Sequence, residues 1–330
     1  MLLAPIPADD DVRLERLRST GLLDTQEEER FDRVTRLARH FFKVPVCLVS
    51  LVDKNRQWFK SRQGLAHCSE TPRDISFCGH AINSSDILMI PDATKDVRFS
   101  DNPLVVGAPW VRFYAGYPLR SFDGHILGTL CLIDHVPRTL SRAELGFLAD
   151  FGKLIEAEIT SIHLATMDAL TGLYNRLGFD NLAEQMLLLS RRSALQCTLI
   201  YLDLDKFKVI NDNWGHAEGD VALRAFADCL QQSVRDCDIV ARLGGDEFAV
   251  LLTHNGSDCV ATQIEQRLAG VITRFNSTSG KPWQLAFSLG AASLNQDNIN
   301  DLPELMSAAD TAMYQVKATH SGHNRGLRTQ

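Results

Sequence analysis

Residues Ile239 to Leu252 read IVARLGGDEFAVLL, two apolar runs separated by Gly244-Gly245-Asp246-Glu247. Each run has the length of a strand, and the glycines supply the positive φ that a tight connection needs, so the stretch is predicted to be a hairpin. Its tip presents two carboxylates beside a backbone cleared of side chains. Upstream, CTLIYLDLD (Cys197 to Asp205) is an apolar strand ending in acids. Alternation puts Asp203 and Asp205 on one face if the strand continues that far. Acidic groups from two neighbouring strands make an oxygen-rich arrangement suited to Mg²⁺, which takes a couple of carboxylates plus substrate phosphates. Two such ions can lower the pKa of an attacking hydroxyl and stabilise a leaving pyrophosphate.

Outward from this hairpin, the second half of the chain alternates. Helices are expected over Arg176 to Ser190, Gly219 to Ser233, Val260 to Phe275 and Leu302 to Lys317, with strands over Cys197 to Leu204 and Trp283 to Ser293. Between Asp205 and Gly219 the sequence is read as a Gly-rich turn. The result is a palm-like α/β sandwich on a mainly antiparallel sheet. In the first half, Val12 to Phe42 carries apolar positions at helical spacing and predicts two helices. Strands are expected at Val44 to Val52, Trp110 to Leu119 and Ile126 to Asp134, with Trp58 and Phe59 opening a hairpin partner. Gly64 to Pro109 reads as loops around a short helix near Ile75 to Ser84. Ser141 with Glu144 forms a capping box opening a helix to Met167. Leu148, Ile155, Ile159 and Ile162 approximate a heptad on it, which fits pairing with a twin helix as well as packing on its own domain.

The fold class is therefore α+β in two domains: 1–140 with an antiparallel sheet and flanking helices, a linking helix at 141–167, and the α/β sandwich at 168–330. A length of 330 residues agrees with two cores. Hydrophobic residues at 45% and charged residues at 23% are ordinary globular values. The net charge of −7 offers no broad basic face, so nucleic acid is not an expected partner. Eight cysteines (Cys47, Cys68, Cys78, Cys131, Cys197, Cys229, Cys237, Cys259) lack CxxC spacing, which argues against a zinc site or disulfide framework. The start lacks a signal-peptide pattern and no run approaches 18 apolar residues, so no membrane span and a cytoplasmic location are expected.

Taken together, RLGGDEF, DLDKFKVINDNWGHAEGD (Asp203 to Asp220) and the leading DALTGLYNR (Asp168 to Arg176) resemble the GGDEF family of diguanylate cyclases over about residues 166 to 328. The resemblance implies that Asp203, Asp246 and the Leu204 carbonyl bind Mg²⁺, or Mn²⁺ in its place, at two ions per active site. Asp246 or Glu247 would assist deprotonation of the ribose 3′-hydroxyl. Asn211 and Asp220 match the guanine-reading pair, and a carboxylate can accept from guanine N1–H and its exocyclic amine. Phe207, Lys208 and Lys317 would contact the substrate, the lysines at the triphosphate. The family's AKxxGRN ending appears here as VKATHSGHN, two residues longer, with His323 where an arginine is usual. Arg235 and Asp238 match an RxxD inhibitory site that would hold bound product. Asp168 and Arg176 are expected to form a structural ion pair, and His216 to be structural.

Residues 13 to 165 resemble a GAF domain through LVDKNRQWFKSRQGL, FCGHAI, FYAGYPL and GTLCLID. That fold binds diverse small molecules, so the signal stays unnamed. Cys78 and His80 are expected to pack rather than bind metal. Trp58, Phe59, Phe77, Trp110, Phe113 and Tyr114 are expected mostly in the core, and Arg73 and Arg112 are candidate anion contacts. The family implies that two GTP are joined to cyclic di-GMP by a homodimer, since one domain holds one GTP, with GAF control passed through the linking helix. The alternatives are an inactive GGDEF domain that senses GTP or cyclic di-GMP, and an interaction protein whose GGDEF half serves as a dimerising platform.

Overall fold

Short apolar runs, buried on both faces, build two separate sheets. The computed structural model describes residues 1–65, 68–193, 195–235, 237–256, 260–294 and 301–323. It divides into Met1–His163 and Leu164–Gln330.

In the first unit, α1 (Asp10–Ser19) and α2 (Glu29–Phe42) precede β1 (Val46–Val52) and β2 (Arg56–Gln63). The short β3 (Glu70–Pro72), α3 (Phe77–Ala81), β4 (Leu88–Ile90) and α4 (Pro103–Val106) come next. Then follow β5 (Phe113–Arg120), β6 (Ile126–Asp134) and α5 (Arg142–Thr166). The sheet is antiparallel with order β3-β2-β1-β6-β5-β4. The strands β3 and β4 fall where only loops were expected, because three residues are too few to show a period of two. The capping box at the start of α5 is formed, with Ser141 N–H donating to Glu144 at 2.7 Å and Glu144 N–H to Ser141 Oγ at 3.3 Å. Leu148, Ile155 and Ile159 of α5 are buried in the core with Phe31, Val34 and Leu130. The near-heptad is thus spent within the unit, at about 1.5–3 kcal/mol per buried large apolar side chain.

Asp10 of α1 lies between two buried guanidiniums: Arg13 donates to it at 2.8 Å, and Arg73 at 2.8 and 3.0 Å. Arg112 donates to the carbonyls of Val105 and Val111. Both candidate anion contacts, Arg73 and Arg112, are therefore occupied by the protein's own acceptors. Trp58, Phe59, Phe77, Phe113 and Tyr114 are buried, whereas Trp110 is 52% exposed and stands outside the core.

In the second unit, α6 (Arg176–Ser193) leads to β7 (Gln196–Leu204), α7 (Phe207–Trp214) and α8 (His216–Gln231). The hairpin strands β8 (Ile239–Gly244) and β9 (Glu247–His254) follow, then α9 (Val260–Thr278), β10 (Phe287–Ser293) and α10 (Leu302–His323). The sheet order is β10-β7-β9-β8, antiparallel throughout. One face packs on α8 and α9 through Phe226, Leu223, Leu268 and Phe248, the other on α6 and α10 through Phe179, Leu187 and Leu305. Helix α7 replaces the expected Gly-rich turn. Lys206 at φ +58° starts it and Gly215 at φ +83° ends it. Trp283 and Leu285 are buried but outside β10, because the Asn276 side chain donates to the Leu285 carbonyl and accepts from its N–H in place of a neighbouring strand. Among the described residues no helix is long and apolar enough to cross a membrane.

Candidate active site

Strand register brings the acidic residues together. β7 and β9 pair with Asp203 opposite Glu247, and Leu204 N–H donates to the Asp246 carbonyl at 3.0 Å. Gly244 and Gly245, at φ +153° and +54°, allow the hairpin to turn with open space above both. Strand β7 ends at Leu204, and Asp205 leaves it to accept from Ser288 Oγ of β10 at 2.8 Å. From α10, Lys317 Nζ donates to Asp203 Oδ1 at 2.6 Å.

Charge is unbalanced at this corner. Burial pushes the Asp203 carboxyl above its ordinary range, and Asp246 and Asp205 add to that effect against the pull of Lys317. Burial would lower the Lys317 ammonium, but its bond to Asp203 and the two further acids carry it upward. Among the described residues no three acidic, histidine or cysteine side chains converge as a ready-made metal cage. The donor set instead matches a cation that takes one or two carboxylates and a carbonyl from protein and the rest from phosphate and water, as Mg²⁺ does. A buried carboxylate crowded by two others and already seating an ammonium fits such an ion.

The hairpin tip is fixed from behind. Arg242 donates to the Gly245 carbonyl at 3.0 and 2.8 Å and to both oxygens of Asp168 at 3.2 Å. Asp168 also accepts from Thr171 N–H and Oγ1. The ion pair expected between Asp168 and Arg176 is thus made with Arg242 instead, because Tyr174 bridges to β8 and lays this segment along that strand. Arg242 stands inside the hairpin motif, yet nothing local announces a partner 74 residues away.

Asn211 lies on α7 and Asp220 on α8, on either side of Gly215. The Asn211 Oδ1 atom is buried with no hydrogen-bond partner. It lies where a Cβ on Gly219 would sit, 1.9 Å away. Phe207 packs half-buried against the core, while Lys208 and Asp220 are exposed. Sequence reasoning missed a brace on the first turn of α8: Glu218 accepts from Trp283 Nε1 at 2.9 Å and from Lys281 Nζ at 3.1 Å. Arg235 and Asp238 bond to each other before β8, with Arg235 N–H donating to Asp238 Oδ2 at 2.8 Å. Burial raises the Asp238 carboxyl, against this bond and the charges of Arg235 and Arg267 of α9. Asp236, Cys259 and the end of the VKATHSGHN stretch lie outside the described residues or side chains.

Comparison with known proteins agrees with the two-unit division. The family profile described as "Diguanylate cyclase, GGDEF domain" matches residues 165–323, and the GAF domain profile matches residues 26–159. The chain is 38% identical over 213 residues to the cyclic di-GMP phosphodiesterase PA2567 of Pseudomonas aeruginosa, covering 64% of this chain and 35% of that protein. It is 36% identical over 163 residues to the probable diguanylate cyclase DgcC of Escherichia coli K12, covering 49% and 43% respectively. The chain thus spans less than half the length of these relatives. Among solved structures, the GGDEF domain of PA1120 (TpbB or YfiN) from Pseudomonas aeruginosa shares 33% identity, covering 46% of this chain and 89% of that one at a TM-score of 0.43. The chain therefore carries a GAF domain at residues 26–159 followed by a GGDEF domain at residues 165–323.

Proposed function

We propose that this chain condenses two GTP into cyclic di-GMP and two pyrophosphates as a Mg²⁺-dependent homodimer. The observation that carries this reading is the β7–β9 register, which sets Asp203 opposite Glu247 with Asp246 bonded through its carbonyl to Leu204. Asp203, Asp246 and the Leu204 carbonyl would hold the metal, which when bound supplies charge neutralisation and polarisation at the phosphates. Glu247, at the hairpin tip beside them, takes the proton of the 3′-hydroxyl. Lys208 and Lys317 neutralise phosphate oxygens. Asn211 offers an unpaired buried acceptor, and Asp220 an exposed carboxylate, to the two donors on the guanine edge. Each site holds one nucleotide, so two copies must face each other about a two-fold axis for the 3′-hydroxyl of one GTP to attack the α-phosphate of the other.

In this reading Arg235 and Asp238 bind product and slow the enzyme, and the GAF domain biases the dimer through α5. The rival is a sensor that binds GTP or cyclic di-GMP without turnover; one relative, 38% identical, is named as a cyclic di-GMP phosphodiesterase and not as a cyclase. Incubating the full chain with GTP and Mg²⁺ and separating the products by chromatography decides between them. Cyclic di-GMP with two pyrophosphates supports the cyclase, and retained GTP on a nucleotide-binding protein supports the sensor.

A further inference from the structure

The core beneath α3 of the GAF unit holds a chemical oddity. It is built from apolar side chains such as Val46, Leu48, Phe59, Phe77 and Phe99, yet two thiols meet inside it. Cys78 Sγ of α3 and Cys131 Sγ of β6 are 3.9 Å apart, and both residues are at most 3% exposed. The Tyr114 hydroxyl donates to Cys78 Sγ at 3.4 Å and lies 3.5 Å from Thr129 Oγ1. Ser50 and Thr129, both fully buried, stand beside this pair. Packing alone does not call for this, since buried hydroxyls cost free energy that apolar groups of the same shape would not.

Hydroxyls converging on sulfur stabilise a thiolate. Burial opposes that charge, but Cys131 and the hydroxyls of Thr129, Tyr114 and Ser50 together outweigh it and carry the Cys78 thiol below its ordinary range. Cys131 is pushed well up, first by its contact with Cys78 and then by burial. From Ser50, beside the thiols, a hydrogen-bonded chain runs outward. Ser50 Oγ and Ser76 Oγ donate to Gln57 Oε1 at 3.2 and 2.5 Å, and Gln57 Nε2 donates to Thr71 Oγ1 at 2.6 Å. Thr71 lines a cleft of about 560 Å³ together with Lys54, Arg56 and Glu70.

We propose that Cys78 and Cys131 are a redox pair that closes to a disulfide when the protein meets a peroxide and reopens with a dithiol. The Cys78 thiolate attacks one peroxide oxygen, forming an S–O bond as the O–O bond breaks, and the departing hydroxide takes a proton and leaves as water. Cys131 sulfur then attacks the sulfenic sulfur, the S–S bond forms, the S–O bond breaks, and a second water leaves with the Cys131 proton. Two thiols are oxidised by one peroxide, which is reduced to two waters. Closing from 3.9 Å to the bonded ~2.05 Å asks for a shift of α3, an element of five residues, rather than of the sheet.

The test uses the full chain, reduced, freed of reductant, treated with hydrogen peroxide, alkylated and digested without reductant. The expected result is a Cys78–Cys131 cross-linked peptide lighter by two hydrogens than its parts, lost again on treatment with dithiothreitol. In Cys131→Ser, oxidation should stop at a sulfenic acid on Cys78 that dimedone traps. The proposal is overturned if Cys78 and Cys131 are both recovered as alkylated thiols while the less buried Cys68 and Cys237 are oxidised. The wild-type peptide map alone decides the matter if the variant does not fold.

Discussion

Gly219 offers the sharpest test of how the nucleotide base is read. A methyl group added there would stand 1.9 Å from Asn211 Oδ1 and 3.0 Å from its Cγ. Ordinary contact begins near 3.4 Å, so in Gly219→Ala the amide must retreat by about 1.5 Å or turn away. Overpacking costs about 1–3 kcal/mol, offset by ~1 kcal/mol for replacing a helical glycine with alanine, so the domain should stay folded. Catalysis should suffer far more, since a misplacement of about 1 Å costs on the order of 10²-fold. Steady-state turnover of GTP should therefore show kcat/KM down by about 10²-fold, mainly through KM, with the thermal midpoint shifted by only a few degrees. Asn211→Ala should give a similar loss, and the double variant should lose little more, because both act through one amide. A folded Gly219→Ala protein whose kcat/KM stays within about twofold of wild type would refute the reasoning.

Other expectations follow from the same geometry. Arg242→Gln frees the Gly245 carbonyl and Asp168, so kcat should fall by about 10- to 100-fold with ~1–3 kcal/mol of stability lost; unchanged turnover would mean the tip needs no brace. Asp10→Asn leaves Arg13 and Arg73 buried without their anion and should cost about 3–5 kcal/mol in denaturant unfolding of the GAF unit. The Asp10 carboxyl is opposed by burial but held below its usual range by Arg73 and Arg13. Its contribution is thus complete above the unfolded value of ~3.9 and fades as pH falls through the lowered folded value, so the variant should lose this acid limb. Burial and the neighbouring acids raise the Asp203 carboxyl, so protons should compete with the cation at a higher pH than for an ordinary carboxylate. The Mg²⁺ concentration for half-maximal turnover should accordingly climb as pH is lowered, and climb less in Asp205→Asn.

The hairpin at Ile239 to Leu252 and the acid-ended strand before it were legible because each strand is a short apolar run, buried on both faces, that stops at glycines or acids. Their register, Asp203 against Glu247, follows once apolar faces are matched. What the sequence hid was long-range or irregular. Arg242 finds Asp168, and Arg73 finds Asp10 63 residues earlier, through tertiary placement that no local pattern encodes. Helix α7 was masked by polar residues and by a non-glycine, Lys206, at positive φ. The apolar spacing of α5 was visible, but which surface it buries was not, since a helix against its own sheet and a paired helix share one pattern.

The central claim is that Asp203 and Asp246 gather a divalent cation around the phosphates of GTP. Titrating Mn²⁺ against the full chain with a non-hydrolysable GTP analogue, and counting free Mn²⁺ by electron paramagnetic resonance, tests it without reference to turnover. Wild type should remove Mn²⁺ from solution beyond what the analogue alone binds, and Asp203→Asn and Asp246→Asn should not. Equal Mn²⁺ retention by wild type and by both folded variants would contradict the claim.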